Sequence, residues 1–215
     1  MQELTTPLPC RVWQSAPSGP LLYWMTGPQE QTEEVAAQLP DQPWTLVACP
    51  CRDWNAEYSP WPAPPVFGQE SFAGHGPETL RRLQEEILPA VEAVLGTPPR
   101  RLLGGYSLAG LFSLWAALQT DAFDGVACCS GSLWYPGWQE FLLVHADRAP
   151  RQVALSLGKT EERTRNAAMV RVGDATRLTH TVLAQHCDCT LQWHPGGHFQ
   201  NPAGRVACGF ARLLG

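Results

Sequence analysis

Gly104-Gly105-Tyr106-Ser107-Leu108-Ala109-Gly110 is the stretch on which the reading of the chain turns. Arg101 to Tyr106 forms a short apolar run before it, as a buried strand does, and a helical pattern from Leu108 to Gln119 follows. A serine at such a strand-to-helix corner is held in a strained backbone conformation at the end of the strand. The helix that starts there aims its first amides at it. So sharp a turn needs small flanking residues, and Gly105 and Ala109 supply them, although the strict G-x-S-x-G pattern has glycine where Ala109 stands. Glycine-rich turns of this kind also occur without any chemistry. What Ser107 means therefore depends on the rest of the chain.

Moving outward, strand-like and helix-like segments alternate. Leu21 to Met25 and Trp44 to Cys49 read as buried strands, with helical character from Gln29 to Leu39 between them. A Pro- and Trp-rich loop runs from Pro50 to Gly76. Pro77 then opens an amphipathic helix carried by Leu80, Leu83, Ile87, Leu88, Val91 and Val94 and stopped by Gly96. Beyond the serine come strands at 125–129, 152–157 and 190–193, a helix over 165–185, and a closing helix over 204–213. Such alternation predicts an α/β fold with a mostly parallel central sheet flanked by helices, all within one domain of 215 residues. In sheets of this kind, ligands bind in the crevice beyond the carboxyl ends of the strands.

The composition excludes several classes. With 15 basic and 20 acidic residues and a net charge of −5, the chain lacks the basic footprint of a nucleic-acid binder. No apolar run reaches the roughly 18 residues that would span a bilayer, so no membrane partner is expected. The first residues have neither the basic start nor the apolar core of a secretory signal, which predicts a cytoplasmic protein. The 8 cysteines are then expected to be free thiols, mostly in the core. No metal or other cofactor is expected. His194 and His198 have a spacing a helix could use for a metal, but Pro195, Gly196 and Gly197 between them rule out a regular helix. Gly158-Lys159-Thr160 mimics the tail of a phosphate loop, yet Val153 stands where that loop needs glycine.

A second motif gives Ser107 its meaning. Trp193-His194-Pro195-Gly196-Gly197-His198-Phe199 puts His198 on a glycine-rich loop after the last strand, downstream of the serine. Serine first and histidine last is the chain order of α/β-hydrolases. A carboxylate is then expected after the strand at 152–157, to orient the imidazole and stabilise its protonated form. Glu161 is preferred, Glu162 and a bare Ser–His dyad stay open, and Asp174 and Asp188 read as a solvated helix face and the wrong end of the sheet.

On these residues the chain resembles the esterase D-like branch of the α/β-hydrolases, in particular the siderophore (enterochelin-type) esterases. Its matching stretches are Leu22 to Gly27, Glu57 to Trp61, Gly105 to Phe112, Ser130 to Trp134, Ser156 to Glu161 and Gly196 to Phe199, in the family's order from about residue 21 to the C-terminus. The resemblance implies ester hydrolysis through an acyl-enzyme, with Ser107 as nucleophile and His198 as base. The oxyanion would be held by the amide of Leu108 and by that of Gly27 or Gln29. The sequence departs from the family there, since Thr26 replaces an aspartate and Pro28, which has no N–H, follows the glycine. A thioesterase or S-formylglutathione-type hydrolase, an acyltransferase and an inactive binding module of the same fold are the alternatives.

Arg52, Trp54, Tyr58, Tyr106 and Trp134 are the candidate substrate-binding residues. With Trp61, Tyr135 and Trp138, the aromatics of the loop at 50–76 and of the connection after 130 are expected over the carboxyl ends of the strands, suiting an aromatic acyl group such as a catecholate ester. Arg52 and Arg148 could meet an anionic group. Trp24, Trp44, Trp115 and Trp193 are expected in the core. Only about two dozen residues separate the strands at 125–129 and 152–157, so no separate cap domain is expected.

Overall fold

Leu21–Thr26 is buried along its whole length, and its side chains alternate between the two sides of a sheet. Leu22 and Trp24 enter one apolar cluster, while Leu21, Tyr23 and Met25 enter another. A strand covered on both faces lies inside a layered α/β structure. The structure, a computed structural model, describes residues 2–5, 10–27, 32–66 and 68–215.

The elements run β1 (Gln2–Thr5), β2 (Arg11–Gln14), β3 (Leu21–Thr26), α1 (Thr32–Ala36), β4 (Thr45–Pro50), α2 (Trp54–Glu57), α3 (Gly76–Arg82), α4 (Leu88–Leu95), β5 (Arg101–Tyr106) and α5 (Leu108–Ala117). They continue with β6 (Gly125–Cys129), α6 (Trp138–His145), β7 (Gln152–Gly158), α7 (Val172–Leu183), β8 (Asp188–His194) and α8 (Pro202–Leu214). The eight strands form one sheet in the order β1-β2-β4-β3-β5-β6-β7-β8. From β4 to β8 every pairing is parallel, and β1 and β2 add an antiparallel edge beyond the expected parallel strands.

Helices cover both faces. α1 and α8 close over the cluster of Trp13, Trp24, Trp44 and Phe210, and α3 to α7 pack on the larger opposite cluster. The helix expected from Pro77 to Gly96 is continuous but carries a π turn over Leu83–Ile87. Pro89 explains it, because a residue without an N–H cannot complete the regular ladder and a widened turn absorbs the gap. The helix expected over 165–185 starts as a 3₁₀ turn at Met169–Arg171 and is α-helical over Val172–Leu183. The helix expected from Gln29 spans Thr32–Ala36 among the described residues, with Gln29 to Gln31 outside them.

Between β6 and β7 there is one short helix and a 3₁₀ turn over Ala146–Arg148, so no cap domain is inserted there. None of the eight cysteines is in a disulfide; five are buried, and Cys187, Cys189 and Cys208 are partly exposed. No helix among the described residues is long and apolar enough to cross a membrane.

Candidate active site

The site is assembled where β5, β6, β7 and β8 end. Ser107 occupies the corner between β5 and α5 at φ 59° and ψ −122°, a backbone conformation that L-residues rarely adopt. The corner is possible because the chain folds back on itself: a Cβ on Gly105 would lie 2.3 Å from the carbonyl oxygen of Ala109. Neighbouring strand ends clamp it. The Ser107 amide donates to the Cys129 carbonyl at 3.0 Å, and the Ser132 amide donates to the Ser107 carbonyl at 3.0 Å.

Ser107 Oγ lies 3.0 Å from His198 Nε2, and His198 Nδ1 lies 2.7 Å from Glu161 Oε2. These three residues, far apart in the chain, form one hydrogen-bonded series. Burial alone would raise the Glu161 pKa. The hydrogen bond and charge of His198, with further donors from the Gly158 amide and Ser130 Oγ, outweigh it and hold the carboxyl below its ordinary value. An ionised Glu161 accepts from Nδ1–H, which leaves Nε2 of a neutral imidazole to accept the Ser107 hydroxyl proton. The other carboxylates weighed lie elsewhere. Glu162 and Asp174 pair with Arg177, and Asp188 begins β8 at the opposite end of the sheet.

One group essential to this geometry had no signal in the sequence. Arg205, in the first turns of α8, is almost wholly buried and fully engaged. Its Nη1 donates to Glu161 Oε1 at 2.6 Å, Ser130 Oγ at 2.9 Å and Tyr106 Oη at 3.2 Å. Its Nη2 donates to the carbonyls of Pro195 and Gly197 at 3.0 and 2.8 Å. One guanidinium thus ties the acid to the loop that carries His198. Tyr106 adds a second tie, its hydroxyl donating to the His198 carbonyl. Burial pushes that phenol up to about 12 against the opposing effects of Ser130 and Arg205, so it stays a donor.

Two amides are candidates for meeting an oxyanion. Leu108 N–H is the first of α5 and has no intrahelical acceptor. Met25 pairs with Gly105 across β3 and β5, so Gly27, two residues further on, stands level with Ser107. Pro28 and Gln29, the latter the alternative donor, lie outside the described residues.

A cavity of about 700 Å³ opens onto Ser107, Leu108 and His198. Of the five candidate substrate-binding residues, Trp54, Tyr106 and Trp134 line it. Phe72, Ser132, Met169 and Phe199 line it as well, as does Trp24, which is expected in the core and also reaches the cavity. Ser132 Oγ lies 3.5 Å from Ser107 Oγ. Tyr58 corrects the reading: it is fully buried beneath the site, where its hydroxyl satisfies the carbonyls of Thr26 and Cys49 at 2.8 and 3.2 Å. Arg52 is exposed and does not line the cavity, and Arg148 caps the carbonyl of Gln119. Nor do Trp61, Tyr135 and Trp138 face the cavity. Tyr135 donates to the Trp61 carbonyl, and Trp138 Nε1 to Thr179 Oγ1, so these rings pack the two loops against each other and onto α7. Trp24, Trp44 and Trp115 are core residues, whereas Trp193, on the edge strand β8, is half-buried under the Arg177 guanidinium. Among the described residues no group of three or more His, Cys, Asp or Glu side chains could hold a metal ion.

A parallel sheet with a serine on a strained strand-to-helix corner and a histidine after the last strand defines an α/β-hydrolase fold. The chain belongs to the esterase family, described as "Putative esterase", whose profile matches residues 7–200. No curated protein matches the sequence. Among solved structures the fold is similar to an IroE-like serine hydrolase from Shewanella oneidensis, with a TM-score of 0.80, 16% identity, and coverage of 99% of this chain and 79% of that one. It is also similar to the siderophore hydrolase EstA from Aspergillus nidulans, with a TM-score of 0.73 and 18% identity over 95% of this chain and 89% of that one. A third likeness is to the enterobactin esterase Fes from Shigella flexneri, with a TM-score of 0.66 and 21% identity over 95% of this chain and 54% of that one. At such identities the likeness concerns the fold.

Proposed function

We propose that the chain is a serine esterase that cleaves carboxylic esters through an acyl-enzyme, with Ser107 as nucleophile, His198 as general base and Glu161 as the group that orients the imidazole. The observation that carries the reading is the hydrogen-bonded series from Ser107 through His198 to Glu161 at the wall of an apolar cavity. His198 Nε2 takes the proton as Ser107 Oγ attacks the ester carbonyl. The developing oxyanion is met by Leu108 N–H and Gly27 N–H, and each donor of this kind is worth about 2.7–4 kcal/mol of transition-state stabilisation. His198 then returns the proton to the departing alkoxide. Water, deprotonated in turn by His198, releases the acyl group.

The aromatic and aliphatic walls suit an apolar or aromatic portion of the ester. Siderophore-type esters are the natural compounds to test first, since several proteins of similar fold carry that substrate in their names. A reducing, cytoplasmic setting is part of this reading, since eight cysteines persist as thiols in such a compartment. The deciding experiment is hydrolysis of p-nitrophenyl acetate and labelling by a fluorophosphonate. Wild type should show both and Ser107→Ala neither; activity retained in Ser107→Ala overturns the reading.

A further inference from the structure

The cavity beside Ser107 is unusual in its charge. Glu34, on α1, is the one acidic side chain among its described lining residues, and no lysine or arginine lines it. Nor does a lysine or arginine stand among the residues outside the described set, at positions 1, 6–9, 28–31 and 67. The nearest buried cation, Arg205, is neutralised by Glu161 at 2.6 Å and spends its other donors on protein carbonyls and hydroxyls. An anionic group entering here would lose hydration without gaining a counter-charge, and it would face a carboxylate. A cation meets the opposite situation: Trp24, Trp54 and Trp134 line the cavity, and the face of an indole attracts a cation.

We infer that the site accepts esters whose cavity-bound group is uncharged or cationic and discriminates against anionic ones, with Glu34 setting the sign. The inference deepens the esterase reading above and rests on it for the chemistry. It also narrows the siderophore class to members whose bound arm carries no negative charge.

The test uses three p-nitrophenyl esters of matched acyl length: pentanoate, hemiglutarate, which ends in a carboxylate, and 4-(trimethylammonio)butanoate. At low salt, kcat/KM should be about tenfold or more lower for the hemiglutarate than for the pentanoate, and the cationic ester should match or exceed the pentanoate. Glu34→Gln should shrink the cationic-to-anionic ratio by about three- to tenfold, and raised salt should shrink it in wild type, because Glu34 is exposed enough to be screened. The ratio is internal to each protein, so a variant that folds less well still reads it. Hemiglutarate turned over as well as pentanoate overturns the inference, and a ratio unchanged in Glu34→Gln overturns the role of Glu34. Binding of the matching methyl ketones, which cannot be hydrolysed, reads the same order without turnover. If no ester is cleaved faster than in Ser107→Ala, the esterase reading fails while the ketone series still decides the charge preference.

Discussion

Arg205 Nη1 and Glu161 Oε1 stand 2.6 Å apart with both side chains almost wholly removed from solvent. The same guanidinium holds the Pro195 and Gly197 carbonyls, so the orientation of the acid and the path of the loop bearing His198 are set together. With His198 neutral, Arg205 and Glu161 cancel. The cluster then gains a net positive charge if the imidazole is protonated.

Replacing Arg205 by methionine removes that opposing charge, leaving a buried carboxylate whose nearest remedy is a protonated imidazole. The acidic limb of the pH profile of kcat/KM should therefore move to higher pH, with kcat lower across the range. Arg205→Lys keeps the charge but loses the fork that spans two carbonyls and the carboxylate, so it should restore the position of the limb better than it restores kcat. A loss of folding alone would lower the plateau without moving the limb. An unmoved limb in well-folded Arg205→Met would remove this role from Arg205.

Glu161 carries a stability prediction with a definite sign. Its folded carboxyl titrates below its ordinary value, burial being outweighed by His198, Gly158 and Ser130. Its contribution is therefore fully present above the unfolded value, about 4.3, and is lost as the pH falls through the lower folded value. Glu161→Gln also leaves Arg205 buried without its counter-charge, which should cost about 3–5 kcal/mol at pH 7. Urea unfolding of both proteins between pH 3 and 7 should show a stability gap that closes on acidification. A gap independent of pH would contradict the depressed titration.

Much of this arrangement could be read from the residues because it rests on short-range rules. The corner at Ser107 is announced by small residues around a serine, and the loop of His198 by glycines after a strand-like run. Arg205 gave no such signal. In sequence it is one more arginine on an amphipathic helix whose apolar face is Val206, Phe210 and Leu213, and only the approach of β7 and the 195–197 turn buries it. Tyr58 failed for the opposite reason. Its loop position suggested the cleft, but the Thr26 and Cys49 carbonyls at the ends of β3 and β4 accept its hydroxyl and let the ring sink into the core. The antiparallel β1 and β2 are too short to show a reliable alternation.

Gly158 marks the point where three segments crowd together. A Cβ there would lie 2.5 Å from the Gly196 carbonyl oxygen and 2.8 Å from both Arg205 Nη2 and Glu161 Oε1. Gly158→Ala should push the end of β7 away from the histidine loop, destabilising the fold by about 1–3 kcal/mol. It should also lower kcat more than it raises KM, because the displaced groups orient the base and do not line the cavity. Thermal unfolding and steady-state kinetics on one ester check both. An alanine accepted with full stability would show that this packing is looser than these distances imply.

Trp134 offers a test of how the cavity wall sets preference. Its ring lies against Tyr135 at a centroid distance of 6.2 Å and against Phe72 at 6.3 Å, so the wall is one aromatic layer. Removing a ring of this size takes apolar contact from a long acyl chain and little from an acetyl group. Each methylene that enters apolar surroundings is worth about 0.8 kcal/mol, a factor of roughly four. In wild type, kcat/KM for p-nitrophenyl esters should therefore climb steeply from acetate to hexanoate. In Trp134→Ala the slope should flatten, with the hexanoate-to-acetate ratio down about tenfold, because the wider cavity lets water stay beside the chain. The ratio decides the matter even if both rates fall together, and a slope as steep as that of wild type would place the acyl chain elsewhere.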